Sequence, residues 1–146
     1  MANNTQQAIV ESSEITFPSY YPRGVPPREC KDAEGEFFRI VKSEPPSSGC
    51  FKNMYETNRK RMQKFKGMSL KCCYGVSVYT EETSLINAFD KFPEGRGLHY
   101  IAKGIVERDD GKMLKTGAPD STHYTLWLRE GNETHKKFSC IRGLIK

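Results

Sequence analysis

The sequence predicts an α+β domain built on a small, mostly antiparallel β-sheet with two helices. Six short segments rich in β-branched and aromatic residues recur along the chain, each with the length of a typical strand. Two segments between them carry inward-facing residues at helical spacing. The length of 146 residues fits one domain with a single hydrophobic core.

Residues 1–36 are expected to form an irregular N-terminal arm, and residues 37–146 the domain itself. Four prolines within the stretch FPSYYPRGVPP exclude a helix or a central strand there. The same stretch contains Phe17, Tyr20 and Tyr21, large apolar rings that we expect to pack on the domain.

The first strand is predicted at residues 37–42, FFRIVK, and the prolines that follow Glu44 stop it. Residues 51–71 then form a basic helical insertion, with the helix itself at 51–66. Gly67 is expected to end this helix. Five residues recur at spacings of four, three, four and three, which keeps one side of the helix toward a core: Phe51, Tyr55, Asn58, Met62 and Phe65.

The second strand is predicted at residues 73–79, CYGVSVY, and a helix at 81–91 follows at once. Thr80 is suited to cap that helix, because a hydroxyl can accept a hydrogen bond from a backbone N–H of the first turn. The apolar stripe of the helix is expected to contain Leu85, Ala88, Phe89 and Phe92. The residues expected to close it are Pro93, Gly95 and Gly97.

Four more strands are predicted in the second half of the chain, at residues 98–107, 112–115, 123–128 and 138–145. Asp109, Asp110 and Gly111 are expected to form a hairpin turn between the first two of these, since Asp-Gly tolerates positive φ. The two remaining connections, residues 116–122 and 129–136, are polar loops.

Composition excludes several classes of protein. No apolar run approaches the length of a membrane span, and the first residues lack the pattern of a signal peptide. The five cysteines include no CxxC pair, which favours free thiols in a reduced, cytoplasmic protein without a bound metal. Glycine-rich phosphate loops are missing from the sequence, which disfavours kinases, P-loop enzymes and Rossmann dehydrogenases.

The net charge of +5 is concentrated in one part of the chain. Residues 58–71 contain six cations and no acid, and we call this stretch the basic segment. Such a run suggests a surface for nucleic acid or for an acidic protein partner, although charge runs are most often plain solvated faces. Its cations are Arg59, Lys60, Arg61, Lys64, Lys66 and Lys71.

Three elements carry a resemblance to a known family: an arginine on the first strand (Arg39 in FFRIV), a serine on the next (Ser77 in GVSVYTEE), and a helix directly after it. Over roughly residues 37–145 the chain resembles the small ADP-ribosyltransferase fold of the arginine-serine-glutamate branch, which binds NAD between two short sheets. It is also similar to a group of bacterial proteins of unknown function that share the first-strand arginine and the GVSV and HYTLW strands.

The resemblance implies a role for each matching residue. Arg39 would hold a phosphate or ribose of NAD, Ser77 would support the ribose, and Tyr79 and Tyr100 would stack on the nicotinamide or adenine ring. The catalytic glutamate of the family should stand where the HYTLW strand begins, but His123 occupies that position. His123 is therefore the candidate that steers or protonates the reacting centre, and His99, at the start of another strand, is the next candidate.

Each of these residues also has an ordinary structural interpretation. Arg39 shares its strand face with apolar residues, so it could be a structural arginine that bonds neighbouring groups. Ser77 could fill a tight packing site, His123 could bond a loop carbonyl, and both tyrosines could be core residues.

Two functions therefore stay open at the level of the sequence. The first is an NAD-binding, ADP-ribosyltransferase-like protein of toxin or effector type that modifies a protein or a nucleic acid. The second is a non-enzymatic basic module or inhibitor that docks on nucleic acid or an acidic protein through residues 58–71.

Overall fold

The computed structural model describes residues 15–91 and 96–146. It confirms the predicted class, because within these residues the chain is a mixed α+β structure with one antiparallel sheet and few helices. The predictions of Phe92 on the apolar stripe and of Pro93 and Gly95 as closing residues lie outside the described residues, as do the first fourteen residues of the arm. No helix in the described ranges has both the length and the apolar character needed to cross a membrane.

Seven strands occur in the described ranges: β1 (Lys31–Asp32), β2 (Gly35–Val41), β3 (Val76–Tyr79), β4 (Leu98–Val106), β5 (Gly111–Lys115), β6 (His123–Leu128) and β7 (Phe138–Ile145). Three short α-helices accompany them: α1 (Met54–Thr57), α2 (Gly67–Cys72) and α3 (Glu82–Asp90). Single 3-10 turns lie at Ser48–Phe51, Arg59–Lys64, Arg108–Asp110 and Thr134–Lys137.

The strand order in the sheet is β1-β5-β6-β3-β2-β4-β7, and every pairing is antiparallel. The join between β2 and β3 is narrow, because these strands share a single register pair, Phe38 with Tyr79. By contrast, β2 pairs with β4 at every residue from Gly35 to Val41. The sheet therefore consists of two half-sheets, β1-β5-β6-β3 and β2-β4-β7, that meet at one point.

The two faces of the sheet bury separate clusters of apolar side chains. The larger cluster includes Phe37, Val78 and Leu126. The smaller cluster includes Tyr79 of β3 and Leu85 of α3. Strand alternation explains this division, since successive side chains point to opposite faces.

Trp127 ties α2 to the sheet. Its side chain is fully buried, and its indole N–H donates a hydrogen bond to the carbonyl of Lys71 at 2.9 Å. A buried indole N–H needs such a partner, since leaving it unsatisfied would cost on the order of 1–3 kcal/mol.

The predicted helix at residues 51–66 is wrong. The chain there divides into a 3-10 turn, the four-residue α1 and a second 3-10 turn, because two asparagines cap successive turns. The Asn53 side chain accepts from the N–H of Glu56, and the Asn58 side chain accepts from the N–H of Arg61. Side chains of this kind compete with the continuous helical ladder and favour caps.

Gly67 begins α2 instead of ending a helix, with a φ of +58°. The strand predicted at residues 73–79 starts only at Val76, because α2 and the turn after it extend to Tyr74 and Gly75.

The predicted hairpin at residues 109–111 is also wrong. A turn does form there, but β4 and β5 lie in different half-sheets and do not pair with each other. Gly111 has a φ of +149°, and a β-carbon at this residue would lie 1.9 Å from the carbonyl oxygen of Trp127. The glycine is therefore required by close packing on β6.

The described part of the arm packs on the domain. Tyr20 stacks on Tyr55 with the ring centroids 4.2 Å apart, and the Tyr21 hydroxyl donates to the carbonyl of Tyr74 at 2.9 Å. Residues 31–32 within the predicted arm form β1, which pairs with β5 and makes a seventh strand that the sequence did not indicate.

Candidate functional site

A cleft of about 720 Å³ opens where the two half-sheets meet. Its walls come from β2, β3, the 3-10 turn Ser48–Phe51, α1 and α3. Three of the residues singled out in the sequence line it together: Arg39, Ser77 and Tyr79. The volume lies in the range of roughly 300–1,000 Å³ typical of small-molecule sites.

Four cations line this cleft: Arg39, Lys42, Lys52 and Arg61. No aspartate or glutamate is found among its lining residues in the described part of the chain. Because the positive potentials of cations around a concave surface add together, the cleft favours an anionic ligand.

Arg39 connects the walls of the cleft. Its Nε and Nη2 donate to the carbonyl of Cys50 at 3.1 and 2.9 Å, and its Nη1 donates to the carbonyl of Ser77 at 2.6 Å. The guanidinium also lies 5.2 Å from the ring centroid of Phe51. Burial lowers the pKa of Arg39 to about 10, so the residue stays charged at neutral pH.

Ser77 and His123 lie on neighbouring strands, β3 and β6, and form a hydrogen-bonded pair. The Ser77 hydroxyl lies 2.9 Å from Nε2 of His123. On the other side of the ring, Nδ1 of His123 lies 2.8 Å from the Thr116 hydroxyl and 3.3 Å from the Thr116 carbonyl. The Thr116 hydroxyl in turn contacts the hydroxyl of the buried Thr125 at 2.8 Å.

Burial lowers the pKa of His123, and the hydrogen bond that the ring donates to the Thr116 carbonyl opposes this only in part. The imidazole is therefore neutral at pH 7. The ring also packs edge-on against Tyr79 with the centroids 5.1 Å apart. Burial raises the pKa of Tyr79 although the charge of Arg39 lowers it, so the phenol remains protonated.

His123 and Tyr100 are not part of the cleft lining. His123 stands behind Ser77 and contacts it directly. Tyr100 pairs with Val41 on β2 and packs half-buried against the larger core cluster. Of the sequence candidates, the structure thus brings together Arg39, Ser77 and Tyr79 with His123, but not Tyr100.

The basic segment is not a continuous helix but extends over a 3-10 turn, two extended residues and α2. Arg59 lies over the ring of Tyr55 at 3.8 Å from its centroid, and Arg61 reaches the cleft. Lys71 is half-buried on α2. The other cations of the segment are exposed: Lys60, Lys64 and Lys66.

No pattern in the sequence singles out Cys50, which lies on the cleft beside Arg39. Burial raises the pKa of this thiol, but hydrogen bonds from Ser43, Ser47 and the backbone outweigh burial and lower the pKa to about 7. Its sulfur lies 3.4 Å from the Ser43 hydroxyl and 3.6 Å from the Ser47 hydroxyl.

His99 also lines the cleft; it is buried, and its ring packs edge-on against Phe89. Its Nδ1 lies 3.3 Å from the carbonyl of Gly97. Among the residues that the structure describes, no three His, Cys, Asp or Glu side chains are grouped as metal ligands would be.

No family model, curated protein or solved structure matches this chain. Functional conclusions therefore depend on the geometry of the cleft and on the contacts of Arg39, Ser77 and His123.

Proposed function

We propose that the cleft binds NAD and that the protein transfers ADP-ribose from it to a protein or nucleic-acid acceptor, in the manner of the ADP-ribosyltransferase fold. The observation that supports this function is the convergence of Arg39, Ser77 and Tyr79 on one cleft lined by cations. These are the residue types that the family places around NAD, and the narrow join between β2 and β3 supplies a gap between two half-sheets.

Each lining group has a role that its chemistry suits. Lys42, Lys52 and Arg61 attract the pyrophosphate, because charge-assisted hydrogen bonds to phosphate oxygens are strong. Tyr79 offers a ring edge to the nicotinamide or adenine ring, and Ser77 offers a hydroxyl to the ribose. Arg39 keeps the turn at Ser48–Phe51 and β3 at a fixed separation.

The reacting centre lacks the carboxylate that the family uses, and His123 stands at that strand position. A neutral imidazole cannot stabilise a developing oxocarbenium ion as a carboxylate does, so positioning by the cleft carries the reaction. We therefore expect slow release of nicotinamide compared with an enzyme that has the glutamate.

Calorimetry with NAD, together with measured release of nicotinamide, tests this function. Lys42→Gln is expected to weaken NAD binding by about 10- to 150-fold, the equivalent of the roughly 1.5–3 kcal/mol of one charge-assisted contact. Lys103→Gln is the matched control, because Lys103 is an exposed lysine on β4 whose partner is Glu36 at 3.9 Å. Absence of both binding heat and nicotinamide release from the wild type would exclude the proposed function.

A second candidate function is a nucleic-acid binding module, and the exposed cations of the basic segment favour it. Binding of a single-stranded oligonucleotide should weaken as salt rises, and Lys64→Gln with Lys66→Gln should reduce the slope of log K against log salt by about 1.4 for a single strand. Lys103→Gln again serves as the control. Equal slopes for the double variant and the wild type would argue against this module.

A further inference from the structure

The contacts of Ser77 have the geometry of an activated nucleophile. Ser77 is exposed at the cleft, and its hydroxyl is 2.9 Å from Nε2 of His123, within the distance needed for proton transfer. The other ring nitrogen of His123 is held by Thr116. A hydroxyl, a base and a third group that orients the base are the parts that nucleophilic catalysis by serine requires.

The tautomer of His123 follows from the partners of its Nδ1. The Thr116 carbonyl can only accept a hydrogen bond, so Nδ1 carries the proton when it bonds this oxygen. Nε2 then has a lone pair directed at the Ser77 hydroxyl. The Thr116 hydroxyl is free to turn its own proton toward Thr125, which lies 2.8 Å away.

The surroundings of Ser77 indicate the class of electrophile. Four cations line the cleft, and none of its lining residues in the described part of the chain is an acid. Such a cleft stabilises a centre that gains negative charge on its oxygens during attack. Phosphorus in a phosphate ester or anhydride is a centre of this kind.

We propose that Ser77 is a nucleophile toward the phosphorus of a phosphate ester or anhydride, with His123 as its base and Thr116 as a positioning residue. In the step, a bond forms between Ser77 Oγ and phosphorus, and the bond from phosphorus to the leaving oxygen breaks. The hydroxyl proton passes to Nε2 of His123 and from there to the leaving oxygen. This activity goes beyond the proposed function and does not require NAD.

Labelling with a biotin-tagged fluorophosphonate tests the nucleophile, since the reagent presents phosphorus with fluoride as leaving group. We expect one label, found on the peptide that contains Ser77. Ser77→Ala abolishes it. His123→Gln slows it by at least about 100-fold, the usual contribution of a general base. Ser139→Ala is the matched control, because Ser139 is an exposed serine on β7.

The pH dependence of the labelling rate is measured on the wild type. This test is therefore independent of whether any variant folds. The labelling rate should rise with pH through the lowered pKa of His123 and then stay level, because only the neutral imidazole accepts the proton. Thr116→Val should shift this midpoint while Ser77 is still labelled.

A phosphodiester with a 4-nitrophenyl leaving group tests the same step, because each Ser77 that attacks phosphorus releases one nitrophenolate. Release beyond one equivalent requires water to hydrolyse the bond between Ser77 Oγ and phosphorus. Release of nitrophenolate should depend on Ser77 and should proceed in the absence of NAD. The proposal is overturned by absence of label on Ser77, by an equal labelling rate in His123→Gln, or by a labelling rate that falls as the pH rises. Labelling of Ser77 without any NAD binding would support this proposal and exclude the function proposed above.

Discussion

Arg39→Met should destabilise the protein by removing the side chain that connects the two half-sheets. The arginine donates three hydrogen bonds, two to the carbonyl of Cys50 and one to the carbonyl of Ser77. At about 1.5–3 kcal/mol for each bond donated by a charged group, the gross loss is on the order of 4–9 kcal/mol. Methionine keeps the apolar contact with Phe51.

The net loss should be smaller than the gross one for two reasons. Both carbonyl groups border a cleft, so water can replace part of the lost bonding. Removal of the guanidinium also removes the cost of its burial, which is the cause of its lowered pKa. We therefore expect a loss of about 2–4 kcal/mol in the free energy of unfolding, and a fall in Tm on the order of 10 °C.

Urea unfolding followed by tryptophan fluorescence measures this loss, because Trp127 is fully buried. Arg108→Met is the matched control, since the Arg108 side chain is 55% exposed and lies 3.6 Å from the Asp32 carboxylate, which is 45% exposed. We expect a change below about 1 kcal/mol for this control. A loss below about 1 kcal/mol for Arg39→Met would refute the idea that this guanidinium holds the join together.

Three further predictions concern single groups near the cleft. Cys50 should be alkylated by iodoacetamide with half-maximal rate near pH 7, whereas Cys140, whose pKa is raised by burial, should react only at higher pH. Peptide mass measures both rates, and the reverse order would contradict this prediction. Gly75→Ala should cost about 1–3 kcal/mol in urea unfolding, because the new β-carbon would lie 2.5 Å from a methyl group of the buried Thr125; a neutral effect would show that this region yields easily. Because folding lowers the pKa of His123, protonation of this residue favours the unfolded chain. The stability that neutral His123 contributes is complete above about pH 6.5. Below that pH it falls by at most about 1.4 kcal/mol per pH unit. Unfolding curves from pH 5 to 8 for the wild type and His123→Gln should diverge toward low pH, and parallel curves would disprove this linkage.

The order of the main strands could be predicted because each is a short β-rich run with clear boundaries. The cores of β2, β4, β6 and β7 fall within the predicted segments. Their neighbours could not be predicted, since pairing depends on contacts distant in sequence. The Asp-Gly turn before Gly111 therefore suggested a hairpin although β4 and β5 end in different half-sheets.

The break-up of the predicted helix has a local cause that the periodicity concealed. Asn53 and Asn58 both stand at N-cap positions, and each side chain accepts a hydrogen bond from a backbone N–H of the turn that follows it. Residue spacing describes one face of a helix but not the competition for its backbone N–H groups.

The sequence indicated part of the candidate site but not all of it. Ser77 and His123 stand on strands, and their strand positions made them candidates before their contact was known. Thr116 and Cys50 come from irregular segments, where no periodicity indicates the direction of a side chain.

The aromatic contacts of the arm affect how much conformational entropy the basic segment loses when a partner binds. Helices of four and six residues are far below the length of about 12–15 residues at which an isolated helix becomes even marginally stable. Order in this part of the chain must therefore come from tertiary contacts, and Tyr20 on Tyr55 with Tyr21 at Tyr74 supplies some of them. The arm thus helps to set the spacing between the exposed cations, so a partner meets a prearranged array of charges and loses less entropy on binding.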